Sequence, residues 1–437
     1  MLKAAVPLCA HFTTHNVALS NAMLGVFKVK RAKIMATLMI ALLVSANIFI
    51  SASASPNTTN GWGFILPPDV RISGMLRELL LPEPANYELT EITHISALAG
   101  TPELHNLELP IFGATGWTAA RTQLMEQCGR VRIKQLEAGQ AFTILAENGE
   151  WWSVRLPCGV EGWVRHNVCF INLPDVIPSI VFNNTNATES IFMSYDYDIP
   201  GITGYQLYSA RTMNYRFERE MYIVPALYAT ALMLHDSQQA ALADARTLVV
   251  YEVFRPRDTQ RRVVAGLQAL MSENRTVRSG INTYPWSAGW FIAHGISVHQ
   301  RGAAIDASLA RVIAYEVRTM PGSGVQYRKI TQIEYYEMPS QMHDLHPRAA
   351  SLAHPNRTAL APGITEGAIF LRNYFIDAGF TPIASEWWHF SDARGNQTAR
   401  SHGMSGEFFT ATIYSAPLPP NPIYWPPHFW AKFAMWQ

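Results

Sequence analysis

Hydrophobic and polar positions fall into blocks of different period along the chain. The first block is an uncharged apolar run over residues 34–50, preceded by the bases Lys28, Lys30, Arg31 and Lys33 and followed by Ser51-Ala52-Ser53-Ala54-Ser55-Pro56. From residue 130 the period shortens to two. Residues 130–133 and 141–145 alternate, Asn148-Gly149 reads as a hairpin turn, and Trp151, Trp152, Val154 and Leu156 form the next strand. Gly162-Trp163-Val164 makes another short strand after a glycine turn. Short strands between glycine turns over residues 110–174 predict a small all-β barrel.

Longer elements follow. Pro225 opens a predicted helix running to Ala243, since proline is tolerated in a first turn. Residues 247–254 form a continuous apolar strand. Asp258 caps a helix whose Val263, Val264, Leu267, Leu270 and Met271 share one face. Residues 312–317 and 325–336 read as paired strands joined by Pro321-Gly322-Ser323-Gly324. Thr365 caps a helix over residues 366–378 that Gly379 stops. Helices and hairpins segregate rather than alternate, which predicts an α+β fold for residues 175–437 and not a doubly wound sheet. Residues 55–109 read as a linker, and the Pro- and aromatic-rich end from Pro417 as a surface-packed tail.

Composition narrows the choices. Charged residues make up 15% of the chain and hydrophobic residues 49%, with 12 Trp. That excludes a disordered chain, a collagen-like repeat and a coiled coil. The net charge of +1, with no basic block beyond the leader, argues against a nucleic-acid partner. A basic cluster, an apolar core and a small-residue site in that order predict a secretory signal over residues 1–54, cleaved after Ala54. The alternative is an uncleaved anchor, the one route to a membrane. The expectation is therefore an exported, periplasmic or envelope-associated protein. Of four cysteines, Cys9 lies in the leader, and Cys128, Cys158 and Cys169 share one stretch. In an oxidising compartment two of these three would pair, and Cys128 with Cys169 would tie the start of the small module to its end. A zinc site from the three cysteines and His166 lacks the paired Cys-x-x-Cys spacing.

Two segments carry the candidate chemistry. The first is Ser297-Val298-His299-Gln300-Arg301-Gly302-Ala303-Ala304-Ile305-Asp306, the second Glu386-Trp387-Trp388-His389. His299, Asp306 and His389 supply two imidazoles and a carboxylate, the mixed set that zinc hydrolases use while leaving a fourth position open. Magnesium avoids imidazole. Glu386, three residues before His389, is placed to act as general base and acid, with Trp387 and Trp388 excluding solvent and raising its pKa. Arg255 ends the apolar strand before Pro256, where a fixed cation can stabilise a developing oxyanion.

Together with Phe254-Arg255-Pro256, these segments resemble the D-alanyl-D-alanine dipeptidases of the zinc D,D-peptidase family, the group that includes the vancomycin-resistance dipeptidase and shares its fold with the hedgehog signalling domain. The pattern Ser-x-His-x-x-Gly-x-Ala-Ile-Asp followed by Glu-Trp-Trp-His stands here in the same order and spacing. The resemblance implies Zn2+ bound by His299, Asp306 and His389, Glu386 as base and acid, Arg255 as transition-state stabiliser and Ser297 as a substrate contact. It also implies a carboxylate and a tyrosine on the substrate ammonium. His343 or Asp344 falls at the first position, while Tyr195, Asp196 and Tyr197 compete for the second; Trp387 joins the expected substrate wall. The Trp-Trp strand, glycine turn and Gly-Trp-Val resemble bacterial SH3-like domains, which implies peptidoglycan binding by residues 110–174. The expected substrate is D-Ala-D-Ala. The alternatives are a D,D-carboxypeptidase or endopeptidase acting on peptidoglycan stem peptides, and a non-catalytic wall-binding protein with a structural zinc.

Overall fold

In the computed structural model the described residues are 93–94, 109, 111–214, 216–320 and 325–407. The leader, the tail and all of the linker except residues 93, 94 and 109 lie outside them. The described residues belong to one compact unit, Tyr87–Gln437. Its fold is mixed α/β.

Seven short strands follow one another at the start: β1 (Thr115–Thr118), β2 (Thr122–Met125), β3 (Arg132–Leu136), β4 (Ala141–Asn148), β5 (Trp151–Arg155), β6 (Glu161–Arg165) and β7 (Cys169–Asn172). An eighth, β8 (Pro225–Leu227), comes from beyond the predicted module. The sheet runs in the order β8-β7-β1-β4-β5-β6-β2-β3. The barrel expected from the turn spacing does not close. β8 pairs with β7 at one end of the path, so the edge a closing strand would need is taken. Trp117, Phe142, Trp152 and Phe170 are buried on this sheet.

Pro225 therefore starts a strand, not a helix. It lies at the sheet's edge opposite Asn172, where a missing N–H costs least. Helix α1 (Tyr228–Ala243) begins directly after β8. It packs against β9 (Arg246–Glu252), and Gln238 fixes the contact by accepting the Leu248 N–H at 2.9 Å. Helix α2 (Arg257–Glu273) starts at Arg257, with Asp258 inside its first turn rather than at its cap.

The second sheet is built on one long strand, β10 (Ala304–Thr319). β9 pairs antiparallel with it, β11 (Gln326–Tyr335) forms the expected hairpin, and β12 (His389–Ser391) pairs with its first three residues. Two-residue strands at Thr93–His94, Val181–Phe182 and Thr381–Pro382 complete seven. Helix α3 (Glu366–Asp377) is capped by Thr365, whose Oγ1 accepts the Ala368 N–H, and Gly379 ends it with φ +97°. Helix α4 (Ala393–Ser401) follows β12, capped by Asp392.

One hydrophobic core runs through both sheets. The seam is tight at Gly302, which precedes β10. Its φ is +61°, and a Cβ there would stand 2.7 Å from the Phe170 ring of β7. The Gly302 carbonyl accepts the Leu227 N–H at 2.9 Å. Cys128, Cys158 and Cys169 are all free. The expected Cys128–Cys169 bridge is not made, because Cys169 is sealed in the core while Cys128 sits at the surface beside Asn148. Among the described residues no helix is long and apolar enough to cross a membrane.

Gly302→Ala combines a left-handed backbone that L side chains rarely adopt with a clash against a buried ring. It is expected to cost about 2–4 kcal/mol, read as a lower denaturant midpoint with an unchanged slope. Gly363→Ala, where a Cβ meets open space, is the control.

Candidate metal centre and its cavity

Strand pairing alone assembles the centre's floor. Asp306 stands in register with Glu252 of β9 on one side and His389 of β12 on the other. Directly opposed residues face the same side of a sheet, so three ionisable groups are delivered side by side. His299 comes from the turn before β10. Its N–H is accepted by Ser297 Oγ at 3.2 Å, and the Ser297 N–H is accepted by Gln300 Oε1 at 2.5 Å. Gly302, in its left-handed conformation, turns the chain from His299 into the strand.

The donor set fits a cation. His299 Nδ1 lies 2.8 Å from the Val253 carbonyl and must donate to it, which leaves a lone pair on Nε2. That Nε2 lies 3.1 Å from His389 Nδ1 and 3.3 Å from Asp306 Oδ2. His389 Nδ1 lies 3.1 Å from Asp306 Oδ1, while its Nε2 faces Ser391 Oγ at 3.1 Å. With Nε2 donating to the hydroxyl, electron pairs from three residues converge on one point. Such an arrangement repels itself unless positive charge sits there, supplied by a metal ion or by protons on the imidazoles that then hydrogen-bond Asp306. Atoms bound at zinc distances in a tetrahedron stand about 3.3 Å apart, the spacing found here. Burial also lowers the His389 pKa, keeping that imidazole neutral and ready to bind.

The surrounding charges are sorted with care. Burial raises the Asp306 carboxyl, but the charge and hydrogen bond of His299 and the hydrogen bonds of His343 and His389 outweigh it and hold the group well below its ordinary value. Arg255 is fully engaged: Nε donates to Glu252 Oε2 at 2.5 Å, Nη1 to Gln260 Oε1 at 2.8 Å and Nη2 to Asp306 Oδ2 at 3.1 Å. The guanidinium thus holds the Asp306 carboxylate while lining the cavity beside it. Glu386 behaves oppositely. Burial, then repulsion from Asp306, pushes its carboxyl well above the usual range against the pull of Arg255. Its Oε2 lies 3.8 Å from His389 Nδ1. Two neighbouring carboxyls with pKa values driven apart are chemically equipped to differ, one ionised and one able to hold a proton.

A cavity of about 590 Å³ opens over the centre. Arg255, Ser297, His299, Glu386 and His389 line it, as do Phe192, Trp290, Phe291, Ile292 and Leu345. The remaining residues expected at the substrate do not. Asp344 is buried, with Oδ1 accepting the Tyr195 N–H at 3.0 Å and Oδ2 on His346 at 2.8 Å. Tyr195 packs its ring on His346 and its phenol against Gly280, and Tyr197 is exposed on a hairpin. Trp387 is buried behind Trp388, donating from Nε1 to Ser340 Oγ at 3.1 Å, and only Trp388 reaches the cavity. Of the two neighbours His343 and Asp344, His343 is the one at the wall. It has φ +62°, stacks on Phe192 at 4.2 Å and sets Nε2 3.2 Å from Asp306 Oδ2. Glu252 and Gln260 escaped sequence reasoning. A lone acid inside the apolar run 247–254 was the available signal, because a buried carboxylate demands a partner.

Residues 216–404 match the profile of the D-ala-D-ala dipeptidase family. His299, Asp306, His389, Glu386 and Arg255 all lie inside that span, so the segment holding this centre is a domain of that peptidase family. Peptidases of the family depend on zinc, and this chain holds a buried His/Asp group suited to a cation. No curated protein matches the chain.

Equilibrium dialysis against zinc is expected to give about one ion per chain. His389→Ala and Asp306→Asn should each weaken that binding at least a hundredfold, while Cys128→Ser and Cys158→Ser leave it unchanged.

Proposed function

We propose that this protein is a zinc-dependent D,D-peptidase that hydrolyses the bond between two D-alanyl residues, with the free dipeptide as its first substrate. The observation that carries the reading is the three-residue donor set with a proton-holding glutamate 3.8 Å away. Bound zinc supplies Lewis acidity, polarising the scissile carbonyl and making water nucleophilic near neutral pH. The chain's own residues do the rest. Glu386, buried at the cavity wall, takes the proton of the attacking water on a carboxylate oxygen and passes it to the leaving amine. Its raised pKa suits that second transfer, and compensation of the Asp306 charge by Arg255 and a bound cation would let Glu386 ionise in readiness for the first. Arg255 keeps the Asp306 carboxylate oriented, and its position on the wall suits a cation facing developing negative charge. Trp388, Phe192 and Phe291 keep water out.

A second reading is supported by what the cavity lacks. Among the described residues Glu386 is the only acid lining it, and Asp344 is spent inside the fold. A site without a spare carboxylate has little to hold a free amino terminus. That favours a carboxypeptidase acting on peptidoglycan stem peptides, as does the resemblance of residues 110–174 to wall-binding SH3-like modules. In both readings the enzyme works in the cell envelope, where the leader would deliver it. A purely structural zinc has no use for a proton carrier beside it.

Chelation of the purified protein is expected to abolish release of D-alanine from D-Ala-D-Ala and from a pentapeptide stem, with stoichiometric zinc restoring it. Glu386→Gln should retain zinc yet lose 10²–10⁴-fold in kcat; equal rates in wild type and variant rule the mechanism out. The ratio of kcat/KM on the two substrates decides between the readings.

A further inference from the structure

One edge of the cavity has a charge surplus that the hydrolytic steps do not use. Arg301 and Arg400 both line it. Arg301 follows His299 by two residues in the metal turn, and Arg400 lies on α4, the helix that leaves β12. Arg301 Nη1 donates to Asn396 Oδ1 at 3.1 Å, while its Nε is buried without a partner among the described residues. No acid relieves the two guanidinia among the described residues. The nearby Asp392 is buried, with Oδ1 accepting the Gly395 N–H at 2.8 Å and Oδ2 accepting the Thr230 hydroxyl at 2.9 Å. Asn396, with its oxygen on Arg301, has its amide nitrogen left to donate.

Two like charges beside a half-enclosed, partly apolar cavity, one with a buried orphan donor, call for an anion. Guanidinium forks match the planar, two-oxygen geometry of a carboxylate and hold it with paired hydrogen bonds. Ser391, whose Oγ lies 3.1 Å from His389 Nε2, also lines the cavity and links this edge to the centre. We propose that Arg301, Arg400 and Asn396 form a carboxylate subsite that anchors an acidic group of the substrate next to the metal centre. The inference rests on the peptidase reading for its substrate, but binding tests it separately.

The carboxylate has two sources, the terminal α-carboxylate or an acidic side chain. Three ligands separate them: D-Ala-D-Ala, its carboxamide, and an amidated dipeptide with an acidic side chain on the second residue. Each is titrated calorimetrically into full-length zinc-loaded protein and assayed for turnover. With wild type, the free acid is expected to bind about tenfold or more tightly than the carboxamide. Arg400→Ala should remove that difference by weakening the acid alone, raising its KM with little change in kcat, and Arg400→Lys should restore part of it. Rescue of the amidated dipeptide by its acidic side chain, lost again in Arg400→Ala, assigns the subsite to a side-chain carboxylate. Equal binding of all three ligands, or a difference that survives in both Arg400→Ala and Arg301→Ala, overturns the subsite. Binding that discriminates without any hydrolysis overturns the peptidase reading and leaves the subsite standing.

Discussion

The Asp306 carboxylate is the point on which the centre depends. One oxygen faces His389, and the other is shared among His299, His343 and Arg255. A buried carboxylate is tolerated only when its charge is compensated and its lone pairs are filled. Here four side chains from four chain segments do both. Because Asp306 is also a rung of the sheet, between Glu252 and His389, its position is set by backbone hydrogen bonds that no side-chain fluctuation can shift. The ligand geometry follows from β-register, and the metal turn adds a third arm to a frame already fixed.

The arrangement also explains why Glu252 and Arg255 sit three residues apart at the end of β9. Glu252 is completely buried, where burial alone would raise its pKa; Arg255, His299 and His343 reverse that and keep it low. The guanidinium is held in turn by the two carboxylates it bridges, which raise its pKa against the effect of burial. Glu386 stands outside this network of fixed charges, near enough to feel Asp306 and, among the described residues, without an Arg or Lys salt bridge of its own. A raised carboxyl pKa thus arises by leaving one acid out of a compensated cluster.

Much of this was legible in the residue order. The spacing of His299 to Asp306 and of Glu386 to His389 anticipated the buried donor group and the acid beside it. The alternation around Asn148-Gly149 carried the strands of the first sheet, and the Thr365 cap and Gly379 stop carried α3. What failed to show was long-range. Nothing local says that Pro225–Leu227 would leave a helical pattern to pair with β7, since tertiary pairing overrides a three-residue propensity. Barrel closure was unreadable for the same reason. Asp344 was a reasonable substrate contact by position, yet the left-handed backbone at His343 turns the histidine to the cavity and the aspartate into the fold. The cationic edge was invisible because Arg400 reaches the centre only through the packing of α4 on the metal turn.

The contact between Phe170 and Gly302 bears on modularity. A reader dividing the chain by sequence would cut after residue 174 and expect an independent catalytic half. The cut would strip the ring from beneath the metal turn, the Asn172 acceptor from the Val224 N–H and the partner strand from Pro225–Leu227. The leading sheet is therefore a foundation rather than a detachable appendage. A chain shortened to begin after residue 174 would leave the turn that carries His299 without the ring it rests on.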